Sequence, residues 1–362
     1  MPGTLLRLVN DGNPDRTWLE VSLDALRANA RTVAARAGSA RLLPMVKANA
    51  YGVGAVAVAK ALEPLDPWGF GVATAEEGVE LRQAGIVRRI LVLQPTSRML
   101  ESCAQHGLTP AFGTIEDLRA WLALGSQPFH VGVDTGMNRG GLPWESFASA
   151  SATFRDAPGF EGILTHFHSA DSSYESVREQ WARFQSALSA LPKRPPLVHA
   201  ANSAAALGYP EVAGDLVRPG IFLYGGQAGA HRPEPVVSWR ARVCRVAPLA
   251  AGASVSYGAS FKAGVPGHVV TLAAGYADGV RRTLSNCGEI LVGGRRCRIA
   301  GAVTMDFTMV QADAPPALDA VATLIGSDGG DTISLDDFAE ASRTISYEIL
   351  TGLGTRVKRI YR

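Results

Sequence analysis

The chain has 362 residues, 47% of them hydrophobic and 19% charged, so it can bury a sizeable core and wholesale disorder is excluded. Against 35 basic residues stand 33 acidic ones, and a net charge of +2 gives no footing to a nucleic-acid partner or an anionic membrane. Cys103, Cys244, Cys287 and Cys297 have neither C-x-x-C spacing nor disulfide density. The opening MPGTLLRLVNDGNPDRTW lacks a cationic segment followed by an apolar run, and no apolar stretch reaches the ~18 residues of a membrane helix. The expectation is a soluble, cytoplasmic protein with reduced cysteines and no metal.

In chain order, residues 22–38 read as an amphipathic helix with Ser22 placed to cap it and Gly38 to end it. A rhythm follows. RLLPMV (41–46), WGFGVA (68–73), RILVLQ (89–94), TPAFG (109–113), FHVGVD (129–134), FEGILTHF (160–167), LVHAAN (197–202) and LVRPGIFLYG (216–225) are short strand-like runs. Helical patterns lie between them, and Thr74 with Glu77 and Thr114 with Asp117 have capping-box spacing. Parallel neighbours need crossover helices, and eight such strands predict a (β/α)8 TIM-type barrel. From about Pro235 the strands crowd together with few helices, which predicts a mainly antiparallel β domain. The boundary falls in HRPEP (231–235), giving a barrel over residues 1–235, its first residues packing on the β domain, and a β domain over 236–362.

Barrel chemistry sits at the C-terminal ends of the strands. Those positions hold Lys47, Arg139, His166, Asn202, Ser203, Arg218 and Gly220, with His199 inside the seventh strand. Lys47 ends an apolar run, where desolvation would lower its pKa and leave a nucleophilic amine; a snorkelling lysine paired with a carboxylate reads equally well. Ser203 opens a helix and Gly220 permits close backbone approach, together an anion seat, although a plain Ser N-cap explains Ser203 alone. An amine trap for an aldehyde facing a phosphate seat points to pyridoxal phosphate, with Arg218 placed to meet its ring nitrogen.

MVKANAYGVG around Lys47, VDTGMNRGG around Arg139, THFHSAD around His166, HAANSAA around Ser203, VRPGIFLYG around Arg218, SYGASF around Tyr257 and GYADG around Tyr276 are collinear with alanine racemase, and the chain resembles that family from about Trp18 to its end. The resemblance implies pyridoxal 5'-phosphate as cofactor and a head-to-tail homodimer whose sites take residues from both subunits. It implies a small amino-acid substrate and a role in supplying D-alanine for cell wall. Lys47 would bind the cofactor covalently and act as one base, and Tyr257 of the partner subunit as the other. Tyr51, Ser203, Gly220 and Ile221 would hold the phosphate, and Asn202 would also bind the cofactor. Arg218, backed by His199, would donate to the ring nitrogen. His166 would assist Tyr257, and Arg139 would meet the substrate carboxylate. Tyr276, Met305 and Asp306 would line the substrate entrance. Outside the motif the tyrosines would read as ordinary half-buried residues, Met305 as core and Asp306 as a turn carboxylate.

The chain departs from the family pattern at Gly132, where many members carry a lysine, at Ala302 and Thr304 in GAVTMD, and at Thr355 and Lys358 around RVKR. Losing cations near His166 and Arg139 is expected to alter pH dependence, and the Gly132 space could admit an anion or water. Serine or a broader amino-acid range is the alternative substrate. A non-catalytic pyridoxal-phosphate carrier is the alternative class, although such barrels lack the second domain that carries Tyr257. The related decarboxylases need a catalytic cysteine and a glycine-rich phosphate loop that find no match here.

Overall fold

The computed structural model describes residues 14–125 and 127–362. They form two compact units: one is Leu23–Val236, and the other joins the segment ending at Ser22 to Val237–Arg362. The reading of residues 1–13 as lacking a secretory signal lies outside the described residues. No helix among those described is long and apolar enough to cross a membrane.

Strand β1 (Thr17–Val21) belongs to the second unit. The first is a barrel of eight strands: β2 (Arg41–Leu42), β3 (Gly69–Val72), β4 (Arg89–Leu93), β5 (Thr109–Phe112), β6 (Phe129–Asp134), β7 (Phe160–Leu164), β8 (Leu197–His199) and β9 (Leu216–Val217). β3 to β8 pair in sequence order, all parallel, and β9 pairs parallel with β2. Backbone bonds close the two remaining seams, Trp68 to Leu42 and Val46 to Gly71 on one side, Asp215 to Val198 and Arg218 to Ala201 on the other. Such strands are covered on both faces, hence their nearly unbroken apolar runs: all of β3 and all of β5 are buried.

The surrounding helices follow their sequence signals. Leu23–Ala37 buries Leu26, Ala30, Val33 and Ala37, one stripe at helical spacing, and Gly38 ends it at φ +65°. The capping box at Thr74 is complete, whereas at Thr114 the side chain accepts from the Asp117 N–H but the Asp117 carboxylate takes the Thr114 hydroxyl instead of its backbone N–H. Two expectations change. The run LVRPGIFLYG turns out of the barrel wall after Pro219, which has no N–H to offer a ladder although its carbonyl still accepts from Met45 N at 2.9 Å, and Ile221–Tyr224 forms a 3-10 turn. The helix Ser203–Gly208 is capped by Asn202, whose side chain accepts from the Ala205 N–H, so Ser203 is its first residue and not its cap.

In the second unit the long strand β10 (Val237–Leu249) is the spine. It pairs antiparallel with β1, with β11 (Gly267–Leu272) and with a later strand, Val321–Asp328. The Glu289–Val292 and Arg295–Arg298 hairpin turns through Gly293 and Gly294, both at positive φ as a two-residue hairpin turn requires. The stretch 296–313 is two strands and not one, broken where Gly301 stands at φ +82° against the Val255 carbonyl. The final strand, Lys358–Tyr361, pairs parallel with β1. Trp18 and Trp239 are fully buried, and the Trp239 Nε1–H donates to Thr17 Oγ1 at 2.8 Å.

A buried carboxylate ties the loops of this unit. Asp278 has no exposure, accepts from Gly275 N at 2.9 Å, and receives Arg356 Nε and Nη2 at 3.0 and 3.1 Å. Arg356 Nη1 also donates to Asp306 Oδ1 at 2.8 Å. Arg356→Met strips Asp278 of its charged donor and is expected to lower stability by about 2 kcal/mol. Denaturant unfolding measures this, and adding Asp278→Asn should recover part of the loss.

Candidate active site

The first barrel strand ends in a left-handed turn. Ala48, Asn49, Ala50 and Tyr51 have φ between +51° and +56°, a conformation that costs L-residues roughly 1–2 kcal/mol each. Specific bonds hold it. Ala50 N donates to Val46 O at 2.7 Å, Gly52 N to Ala48 O at 2.8 Å and Gly54 N to Asn49 O at 2.9 Å, while Asn49 Oδ1 accepts from Ala55 N at 2.8 Å. Glu77 supplies the outside anchor: Oε1 accepts from Ala48 N at 2.6 Å, and Oε2 from Ala73 N at 2.8 Å and Thr74 N at 3.3 Å. The spacing to Thr74 marked Glu77 as a helix cap. Nothing local marked its second oxygen as the clamp on the Lys47 turn.

That turn sets Lys47 and Tyr51 on the barrel mouth. Lys47, Arg139, His166 and Arg218 line one cavity of about 210 Å³, together with Gly132 and Gln94. Burial lowers the Lys47 pKa, with Arg139 and then Arg218 adding to the effect and Glu77 opposing it. Burial, Arg218, Arg139 and Lys47 push His166 down to about 3, so its imidazole is neutral. Its Nδ1 lies 3.3 Å from Arg218 Nη2, a group that can only donate, which assigns the ring proton to Nε2. The Arg139 loop is shaped by Asp134, whose Oδ1 accepts from Gly136 N at 2.9 Å and Asn138 N at 3.1 Å.

Arg218 is almost fully buried. Nη1 donates to His199 Nδ1 at 2.9 Å, and Nη2 to the carbonyls of Thr165 at 2.7 Å and Ala200 at 2.9 Å. Burial and then Arg139 push it down to about 9, still charged at neutral pH. Nearby, Ser203 Oγ accepts from Gly220 N at 2.8 Å. A Cβ built on Gly220 would fall 2.3 Å from the Tyr51 hydroxyl, so only glycine lets that hydroxyl approach the backbone there. Tyr51 packs on Tyr224 with ring centroids 4.8 Å apart, and Tyr224 donates to Met45 O at 2.7 Å. Ile221 is buried at the start of the 3-10 turn. Tyr51, Ser203 and Gly220 thus share one corner, next to the cavity holding Lys47 and Arg218. A phosphate-bearing aldehyde fits this donor set, with backbone amides and hydroxyls at one end and an amine at the other.

The remaining candidates lie in the second unit. Tyr257 is 77% exposed, on a turn where Ser256, Gly258 and Ala259 all take positive φ and Ser256 Oγ donates to Ala302 O at 2.6 Å. Tyr276 and Met305, both exposed, are joined through backbone bonds of Tyr276 N to Thr304 O and Ala277 N to Met305 O. Asp306 is the Arg356 partner described above. Thr304 fastens its own turn, exchanging bonds with the Phe307 backbone at 2.9 and 3.1 Å. Gly132 faces the barrel cavity, where a Cβ would lie 3.3 Å from Phe112 O.

Residues 21–228 match the alanine racemase N-terminal domain, and residues 236–361 match its C-terminal domain. An alanine racemase from Symbiobacterium thermophilum is 40% identical over 95% of this chain and 97% of its own. The crystal structure of alanine racemase from E. faecalis superposes with a TM-score of 0.90 at 33% identity, covering 98% of this chain and all of that one. The enzyme from Bartonella henselae, solved with covalently bound pyridoxal phosphate, gives 0.89 at 32% identity over 96% of this chain and all of its own.

A pH dependence of stability follows from His166. The unfolded chain takes up a proton on this ring near its ordinary value of 6.5, the folded chain only near 3. Between those values the unfolded state binds more protons, so stability falls as pH drops, by up to about 1.4 kcal/mol per pH unit from this group. His166→Gln should flatten the slope of unfolding free energy between pH 6 and pH 4 by close to one proton. An unchanged slope would remove His166 from the account.

Proposed function

The chain belongs to the alanine racemase family, and from that membership and the geometry of the barrel mouth we propose that it binds pyridoxal 5'-phosphate there and interconverts L- and D-alanine between two opposed bases, Lys47 and Tyr257 of a second subunit. The observation that carries this is the gathering of Lys47, Arg139, His166 and Arg218 on one cavity, with the Lys47 amine biased toward its neutral, nucleophilic form.

Tyr51, Ser203, Gly220 and Ile221 are the residues to hold the phosphate, Asn202 a further one to bind the cofactor, and Lys47 the one to hold the aldehyde carbon. The bound cofactor supplies an electron sink that acidifies the substrate Cα–H. The protein does the rest. Arg139 orients the substrate carboxylate. The Lys47 amine takes or returns the Cα proton on one face, and the Tyr257 phenolic oxygen does so on the other. A proton removed from one face and replaced on the opposite face inverts the centre, and two bases of this kind serve both directions. A tyrosine ordinarily loses its proton near ~10 and needs help to act near neutrality. His166, neutral and carrying its proton on Nε2, is the donor that can stabilise the phenolate. Arg218 donates without accepting, so it keeps the ring nitrogen it meets unprotonated.

This reading assigns a head-to-tail homodimer in the cytoplasm and D-alanine for cell-wall synthesis as the product. Alanine as substrate accords with relatives that are alanine racemases over nearly their whole lengths, and neither the broader-range racemase nor the carrier gains support.

Purified protein incubated with L-alanine in deuterated water is expected to form D-alanine with deuterium at Cα; absence of exchange with every amino acid tried would sink the proposal. Lys47→Ala and Tyr257→Phe chains, each inactive as homodimers, should regain activity when mixed if each site takes one base from each subunit. Mixtures as inactive as the parents would refute the shared site.

A further inference from the structure

Behind Arg218 a line of buried polar groups runs away from the mouth, down the inside of the barrel. Arg218 Nη1 donates to His199 Nδ1 at 2.9 Å, and His199 Nε2 lies 2.8 Å from His130 Nδ1. His130 Nε2 then faces Glu161 Oε1 at 3.4 Å. Glu161 is in turn clamped by Arg89 Nη1, at 2.6 Å from Oε1 and 2.5 Å from Oε2. Both histidine rings are inaccessible. Glu161 and Arg89 stand at the N-terminal ends of β7 and β4, the end of the barrel opposite the mouth.

The donors and acceptors fit in one direction only. A guanidinium has no acceptor, so His199 Nδ1 must be bare and its proton must sit on Nε2. That proton points at His130 Nδ1, which must be bare as well, so His130 carries its proton on Nε2. A carboxylate only accepts, and Glu161 is the acceptor toward which that last proton points. At 3.4 Å the contact falls short of a full hydrogen bond, and Nε2 has no other partner. The chain cannot be reversed, because neither end can change role.

The packing around His130 is built for the ring. A Cβ on Gly162 would lie 2.3 Å from His130 Nδ1 and 2.4 Å from Cε1, so no side chain is tolerated there. Trp68 closes another side, its ring centroid 5.6 Å from that of His130, and the Arg89 guanidinium lies 5.2 Å over the same indole.

We infer that Glu161 is a positioning residue for the reaction: through His130 it supports, from the far end, the tautomers that Arg218 requires of His199 and His130, and so helps hold an acceptor against Arg218 at the site. This rests on the proposed role of Arg218 at the cofactor ring nitrogen. In Glu161→Gln the amide can donate to His130 Nε2, so only the clash of a His199 N–H with an Arg218 N–H is left to oppose the opposite tautomers.

The test is nitrogen-15 NMR of the histidine rings in cofactor-loaded enzyme, assigned with His130→Asn and His199→Asn, alongside kinetics of Glu161→Gln. In the wild type both rings should show Nε2 protonated and Nδ1 bare. Glu161→Gln should show mixed tautomers and about a tenfold lower kcat, with KM for alanine within about twofold. A wild type with His199 protonated at Nδ1 would overturn the inference. So would a Glu161→Gln enzyme that is merely less heat-stable, with tautomers and kcat unchanged. Mixed tautomers in Glu161→Gln with an unaltered kcat would overturn the link to catalysis and locate the failure in the role given to Arg218.

Discussion

A buried arginine without a carboxylate governs the barrel. Among the described residues, the hydrogen bonds of the Arg218 side chain run to carbonyl oxygens and imidazole nitrogens, none to a negative charge. A cation placed in the interior without a counter-ion is costly, and burial alone draws its proton affinity down. Its field lowers the proton affinities of Lys47, His166 and His199 in turn. Burial is the larger cause at each of these groups, and a carboxylate that neutralised Arg218 would remove only a lesser push toward their neutral forms. Burial and the uncompensated charge together bias the neighbouring bases toward their neutral forms.

The second constraint is conformational. Four consecutive residues in left-handed backbone follow Lys47, and three are not glycine or asparagine. Such a turn persists only when its surroundings over-determine it. Here Glu77, itself anchored at the head of the next helix, receives one of its amides. The turn directs the amine into the cavity and, four residues on, brings the Tyr51 hydroxyl to Gly220. Stiffness at this point is what a nucleophile needs, since positional error at a reacting atom is expensive.

Much of this was legible in the sequence. Apolar runs at regular spacing gave away the eight barrel strands, because parallel strands covered on both faces must be apolar throughout. Lys47, Arg139, His166 and Arg218 could be named because the chemistry of such barrels gathers at strand ends. Ser203 opens its helix as read, but the alternative of a plain Ser cap falls to Asn202, since Ser and Asn are interchangeable in that role and only geometry shows which oxygen meets the helix amide. The second function of Glu77 and the line from His130 to Glu161 were not visible. Their partners lie 29, 69 and 31 residues apart or more (77 − 48, 199 − 130, 161 − 130), and no periodicity links them. Gly162 looked like any strand glycine until the His130 ring beside it supplied the reason.

The pairing of β1 with the final strand has a bearing on how the molecule is made. Thr17–Val21 lies between Val237–Leu249 and Lys358–Tyr361, so a strand that precedes the barrel in sequence waits for segments that follow it before its sheet is whole. The barrel, by contrast, is encoded without interruption from Leu23 to Val236 and can assemble as it leaves the ribosome. Until those segments emerge, β1 has unpaired edges and apolar side chains, Trp18 and Leu19 among them, a segment for a chaperone to guard. A chain cut before Lys358–Tyr361 leaves that edge open while its barrel can already be folded.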